Sequence, residues 1–258
     1  MSEILNHKIY GNQKPVLLVL HGLFGMLDNW HLMAGRWSEQ FTVITIDQRN
    51  HGKSFHHPEM TYEAMADDVV RLMDHLEIES AFVLGHSMGG KTAMTLAKFH
   101  PERVAGLIVV DMGIKAYSGG HEPYFKALLE LKKQTIESRK EADEFLSSRI
   151  PELGIRQFLL KNLVRTKEGY SLKMNLEVIH QFYREMIGAL EFPIPVMTPA
   201  LFVRGGDSNY IQSSDMPEIE EAFSNVEFET IEDAGHWIHA DKPLELHNSV
   251  LEFIQNHN

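Results

Sequence analysis

Residues 81–90 read Ala81-Phe82-Val83-Leu84-Gly85-His86-Ser87-Met88-Gly89-Gly90, and Lys91-Thr92-Ala93-Met94 follow. A short apolar run leads into a G-x-S-x-G pentad, and the residues after it suit the opening of a helix. A serine on a strand-to-helix turn of this kind sits in strained backbone. Glycines two positions to either side relieve the crowding. The turn lifts Ser87 Oγ above a sheet and aims it at a helix N-terminus, where free N–H groups favour developing negative charge. The pentad alone is common in turns. The strand before it and the helix after it make Ser87 a candidate nucleophile.

Outward from this turn, short apolar runs alternate with longer segments of helical period. The runs cover 16–20, 41–46, 81–84, 104–110, 200–203 and 226–231. Each is nearly continuous in apolar character, as expected of strands covered on both faces, so the rhythm predicts an α/β fold with a mainly parallel central sheet flanked by helices. Met65, Val69, Leu72, Met73 and Leu76 mark one amphipathic helix. Leu244, Leu246, Val250, Leu251 and Ile254 mark a closing helix with Pro243 near its first turn. The rhythm breaks over 113–192, where helical period persists with no convincing strand, between Tyr117-Ser118-Gly119-Gly120 and Phe192-Pro193-Ile194-Pro195. That stretch reads as a helical cap inserted into a single domain spanning 1–258. It would leave from the carboxyl ends of the strands, where ligands bind in such sheets.

Two further segments carry chemistry. His21-Gly22-Leu23-Phe24-Gly25 follows the first strong strand, and the backbone N–H groups of Leu23 and Met88 are the candidate oxyanion hole. Asp233-Ala234-Gly235-His236-Trp237-Ile238-His239 follows the last strand. Where the triad runs serine, acid, histidine along the chain, the base belongs on this last loop, which singles out His236 from 15 histidines. His239 is the runner-up. Pairing the two as metal ligands finds no third ligand in the local pattern, so no metal is expected. Two aspartates compete for the acid. Asp111 closes the strand after the nucleophile, and Asp207 follows the next one; a G-x-x-D count from Gly205 falls on Ser208. Asp47 to Ser54 gathers charge, imidazole and hydroxyl, but its position at a strand end reads as a structural turn. His21 and His86 read as packing beside the site.

The segments 21–25, Asp47-Gln48-Arg49-Asn50-His51-Gly52-Lys53-Ser54, Gly85-His86-Ser87-Met88-Gly89-Gly90-Lys91 and Gly235-His236-Trp237-Ile238-His239-Ala240 together resemble the YbfF-type esterases of the α/β-hydrolase superfamily and their eukaryotic relatives. The likeness runs the whole chain and includes Asn162-Leu163-Val164 and Met174-Asn175-Leu176 in the cap. It implies a Ser-His-Asp hydrolase of carboxylic esters or acyl thioesters that needs no cofactor. In that family the loop after the later strand usually lacks an acid, which implies Asp111 as the partner of His236; Asp207 is the alternative. A cofactor-free lyase or carbon–carbon bond hydrolase is the competing function, since it would use the same triad. An elbow aspartate, the mark of haloalkane dehalogenases and epoxide hydrolases, is replaced here by Ser87. Apolar cap positions such as Phe158 are expected to set acyl length.

Composition narrows the partners. The 258 residues contain no cysteine, which excludes disulfides, thiolate metal sites and a cysteine nucleophile. A formal net charge of −12, from 36 acidic and 24 basic side chains, disfavours nucleic acid and anionic membrane. Met1-Ser2-Glu3-Ile4 lacks the basic start and apolar run of a signal peptide, so the expectation is a cytoplasmic protein acting on a small molecule.

Overall fold

A computed structural model describes residues 3–167 and 169–258; Met1 and Ser2, which open the N-terminal stretch read above, lie outside the described residues. Seven strands form one sheet: β1 (His7–Tyr10), β2 (Val16–Leu20), β3 (Thr42–Ile46), β4 (Ala81–His86), β5 (Val104–Val110), β8 (Ala200–Gly205) and β9 (Val226–Ile231). Their order is β1-β3-β2-β4-β5-β8-β9, with β1 antiparallel to β3 and every other pair parallel. α1 (His31–Trp37), α2 (Tyr62–His75) and α3 (Met88–Phe99) join the first parallel strands. The chain runs outward from β2 to β3 and returns to β4 on the other side of β2. The β2–β4 boundary is therefore the switch point, the place in an open α/β sheet where loops part and leave a crevice.

Strand alternation separates two cores. In β4, Ala81 and Val83 face one cluster while Phe82 and Leu84 face the other; β2 and β5 divide in the same way. Every one of these residues is buried, so the runs are continuous in apolar character. The first cluster takes up α2, α3 and α8 (Met216–Ala222), and the second takes up α1 and α10 (Pro243–His257). A single turn of helix, α9 (Ile238–Asp241), lies between β9 and α10.

Between β5 and β8 the chain leaves the sheet. It forms α4 (Glu122–Leu131), α5 (Arg139–Ser147), α6 (Leu153–Leu160) and α7 (Leu176–Met186). The sequence reading finds no strand in 113–192, but an antiparallel hairpin, β6 (Leu163–Thr166) with β7 (Gly169–Leu172), lies between α6 and α7. Half of its residues are exposed, and its strands, Leu163-Val164-Arg165-Thr166 and Gly169-Tyr170-Ser171-Leu172, carry no continuous apolar run, so the pattern that marks the sheet strands does not reveal it. The edge strand β1, half exposed, is missed for the same reason. These helices share a third core with Phe24 and Met60 of the sheet's loops, with Tyr62 and Met65 of α2, and with Met88 of α3. No described helix is long and apolar enough to cross a membrane.

Candidate active site

Register across the sheet assembles the site. Gly85 pairs with Val109 and His86 with Val110, and Val110 pairs with Val203. Two bonds continue the ladder past the strand ends: Ser87 N–H donates to Val110 O at 3.2 Å, and Asp111 N–H donates to Val203 O at 2.8 Å. Ser87 and Asp111 therefore leave adjacent strands at the same height. Ser87 has φ 54° and ψ −121°, and Asp111 has φ 48°. Positive φ in non-glycine residues costs of order 1–3 kcal/mol, and the surrounding structure holds it in place. The elbow glycines meet a steric demand. A Cβ on Gly85 would stand 2.0 Å from Gly89 O, and one on Gly89 would stand 2.4 Å from Leu20 O.

His236 and Asp111 meet across the sheet. His236, on the loop between β9 and α9, donates from Nδ1 to Asp111 Oδ2 at 2.8 Å. Asp111 is fully buried, whereas the His236 side chain keeps 23% of its surface open. The same carboxylate accepts from Gly205 N–H at 3.2 Å and from the Ser208 hydroxyl. Ser208 Oγ in turn accepts from Tyr210 N–H at 3.2 Å, and the Tyr210 ring lies flat on His236, centroids 3.7 Å apart and planes 12° apart. Asp207 is exposed, with its backbone N–H bound to Ala234 O at 2.9 Å; the bond to the imidazole is made by Asp111. In the neutral ring, a proton held on Nδ1 by this bond leaves Nε2 as the acceptor. Among the described residues no hydrogen bond involves Ser87 Oγ; catalytic bonds commonly tighten only once substrate is held.

The loop after β2 presents the candidate oxyanion donors. His21 Nε2 accepts from Gln48 N–H at 3.1 Å, so its proton sits on Nδ1, which donates to Gly22 O at 2.8 Å. Gly25 N–H binds the same carbonyl at 3.0 Å. A trans peptide carries its C=O and N–H on opposite sides, so fixing Gly22 O turns Leu23 N–H the other way. A Cβ on Gly22 would touch Ser87 Cβ at 3.1 Å, which sets this peptide against Ser87. Met88 opens α3, where backbone N–H groups have no partner inside the helix. Among the described residues neither Leu23 N–H nor Met88 N–H has an acceptor. Burial pushes the pKa of His21 down to about 4, against the opposing bond to Gly22, so the ring stays neutral and the tautomer holds.

Two cavities meet at Ser87. One, of about 230 Å³, includes His236, His86, Trp30, Trp237 and Phe158; the other, of about 210 Å³, includes Met88, Tyr62, Met112 and Met186. Leu23, His121 and Tyr210 line both. Burial lowers His121 and His239 to about 4, and drives His86 well below the ordinary imidazole value. Among the described residues no group of three or more His, Cys, Asp or Glu side chains could hold a metal ion.

The segment 47–54 holds the loops together. Asp47 accepts from Leu27 N–H at 2.7 Å and Lys53 N–H at 2.8 Å, while Arg49 pairs with buried Asp68. Gln48 does more: its side chain donates to His21 O at 2.6 Å and accepts from Thr92 Oγ1 at 2.8 Å. Gln48, Ser208, Tyr210 and His121 are the site residues that the sequence reading passed over. Ser208 was visible only as the serine in the position where an acid was sought.

The model of the alpha/beta hydrolase fold family matches residues 15–243. Esterase YbfF of Escherichia coli (strain K12) is 32% identical, over 95% of this chain and 94% of that protein. The sn-1-specific diacylglycerol lipase ABHD11 of Danio rerio is 40% identical, over 95% of this chain and 80% of that protein. A solved marine microorganism esterase is 38% identical and superposes with a TM-score of 0.95, covering 98% of this chain and 100% of its own.

Proposed function

The chain belongs to the α/β-hydrolase family, and from that premise we propose that it is a serine esterase acting through an acyl-enzyme on Ser87. The observation that carries the proposal is the buried Asp111 carboxylate bonded to His236 Nδ1 at 2.8 Å, with Ser87 on the adjoining strand end. Ser87 Oγ attacks the ester carbonyl as its proton passes to His236 Nε2. The N–H groups of Leu23 and Met88 hold the oxyanion, one such donor being worth about 3 kcal/mol. When the carbon–oxygen bond to the alcohol breaks, His236 returns the proton to the departing oxygen. Water, deprotonated by the same imidazole, then cleaves the acyl–Ser87 bond and releases the acid. A thioester would follow the same steps with sulfur leaving. The Asp111 carboxylate orients the ring and stabilises the imidazolium. Residues 113–192 act as the cap that covers the reacting carbonyl.

Similarity to an esterase and a lipase supports ester hydrolysis as the reaction. The test is labelling with a fluorophosphonate, which phosphonylates activated serines, alongside assay of Ser87→Ala. We expect one adduct on the wild type, none on Ser87→Ala, and no ester turnover by that variant at near-unchanged thermal stability. Labelling or turnover that survives in Ser87→Ala defeats the proposal.

A further inference from the structure

Two cavities touching one nucleophile raise the question of which half of the substrate each receives. His236 lines only the first, whereas Met88, a candidate oxyanion donor, lines only the second. In the proposed reaction the departing oxygen must reach His236 to take its proton, so the group attached to it has to extend along the His236 side. The acyl substituent points the other way from the carbonyl carbon, past Met88. The linings add a second constraint. Neither cavity is lined by a Lys, Arg, Asp or Glu, and the polar groups they offer are hydroxyls, amides, histidines and backbone.

We infer that the substrate is an uncharged ester with an apolar group on each side of the carbonyl, its acyl chain in the cavity of Tyr62, Met112 and Met186 and its alcohol in the cavity of Trp237, Phe158 and Ile155. The inference rests on the reading of Ser87 as nucleophile and His236 as its proton carrier. Burial keeps His86, His121 and His239 neutral at ordinary pH, so they supply no counter-charge for an anionic substrate. An unpaired charge carried into such a space loses its hydration without compensation. The partition also relocates Phe158. The sequence reading sets it against the acyl chain, but it shares the His236 cavity, where the alcohol lies.

Two ester series separate the halves: ethyl esters of acids of increasing length, and acetates of alcohols of increasing length. Each methylene that enters an apolar cavity should raise kcat/KM about fourfold until the cavity is full, the equivalent of about 0.8 kcal/mol. Met186→Trp should shift the acyl optimum to shorter chains and Met186→Ala to longer ones, with the alcohol optimum in place. Ile155→Trp should shorten the alcohol optimum alone. Monoethyl succinate should be cleaved on the order of 100-fold more slowly than ethyl levulinate, its neutral counterpart of similar shape. The partition is overturned if the Met186 variants move the alcohol series, if Ile155→Trp moves the acyl series, or if both series move in parallel. Equal rates on succinate and levulinate overturn the uncharged substrate. Turnover that persists in Ser87→Ala removes the nucleophile reading itself, whereas swapped profiles with Ser87→Ala inactive remove only the partition.

Discussion

Asp111 carries more of the site than any other single residue, because one buried carboxylate accepts from His236, Ser208 and the backbone of Gly205. Replacing it with asparagine keeps the shape but allows the amide to donate, which favours the wrong imidazole tautomer. Asp111→Asn should lower kcat about 10⁴-fold, by the precedent of serine proteases. Asp207→Asn, an exposed change, should stay within a few-fold of wild type. Ser208→Ala removes one hydrogen bond to a charged group, worth about 1.5–3 kcal/mol, and should cost on the order of tenfold to hundredfold. Steady-state kinetics on one ester measures all three; a crippled Asp207→Asn beside an active Asp111→Asn would reverse the assignment. Ser87 and His236 are legible in sequence because each stands in a local pattern that the chemistry requires. Ser208 and Tyr210 are not, because their roles arise only when the loop after β8 folds over Asp111.

At the scale of elements, asparagines tie the segment between β5 and β8 to the loops after β2 and β3. Asn162, at the end of α6, donates to Phe24 O at 2.8 Å, and Phe24 itself has φ 60° in the loop that carries Leu23. Asn175, ahead of α7, donates from its backbone to Asn50 O at 2.9 Å. Tyr62 of α2 donates to Met186 O at 2.9 Å, closing the far end of α7. Asn162→Ala should therefore lower the melting temperature, by the equivalent of about 1–3 kcal/mol for the unpaired carbonyl. It should also lower kcat more than it raises KM, since a displaced Leu23 N–H would be missed chiefly in the transition state. A lower melting temperature with kcat unchanged would make Asn162 a cap tether only. The cap sequence shows its helices through their period, but Asn162 and Asn175 read there as ordinary polar residues. Their partners lie more than a hundred positions away, a separation that no local pattern encodes.

Across the whole molecule, burial has gathered neutral histidines around the switch point. His21, His121 and His239 are lowered to about 4 and His51 to about 3, burial being the main cause in each case. Below an ordinary pKa of 6.5 the unfolded chain takes up these protons while the folded chain refuses them until about pH 4. The unfolded state then binds more protons, so stability rises with pH across this window and is lost as pH falls from about 6.5 towards 4. Thermal melts between pH 7 and pH 4.5 should show a steep decline in melting temperature; a flat profile to pH 5 would contradict the neutral cluster. The alternation of apolar runs revealed the parallel sheet, because strands buried on both faces have to be apolar throughout. It could not reveal β1 or the β6–β7 hairpin, whose exposed positions free them from that demand. The proposed acyl-enzyme on Ser87 can be trapped by acid-quenching the enzyme during turnover of a p-nitrophenyl ester and mapping the added acyl mass by peptide sequencing. The expected result is one acyl group, on Ser87; an acyl group on another residue, or turnover with no covalent acyl species and an undiminished rate in Ser87→Ala, would contradict the proposed mechanism.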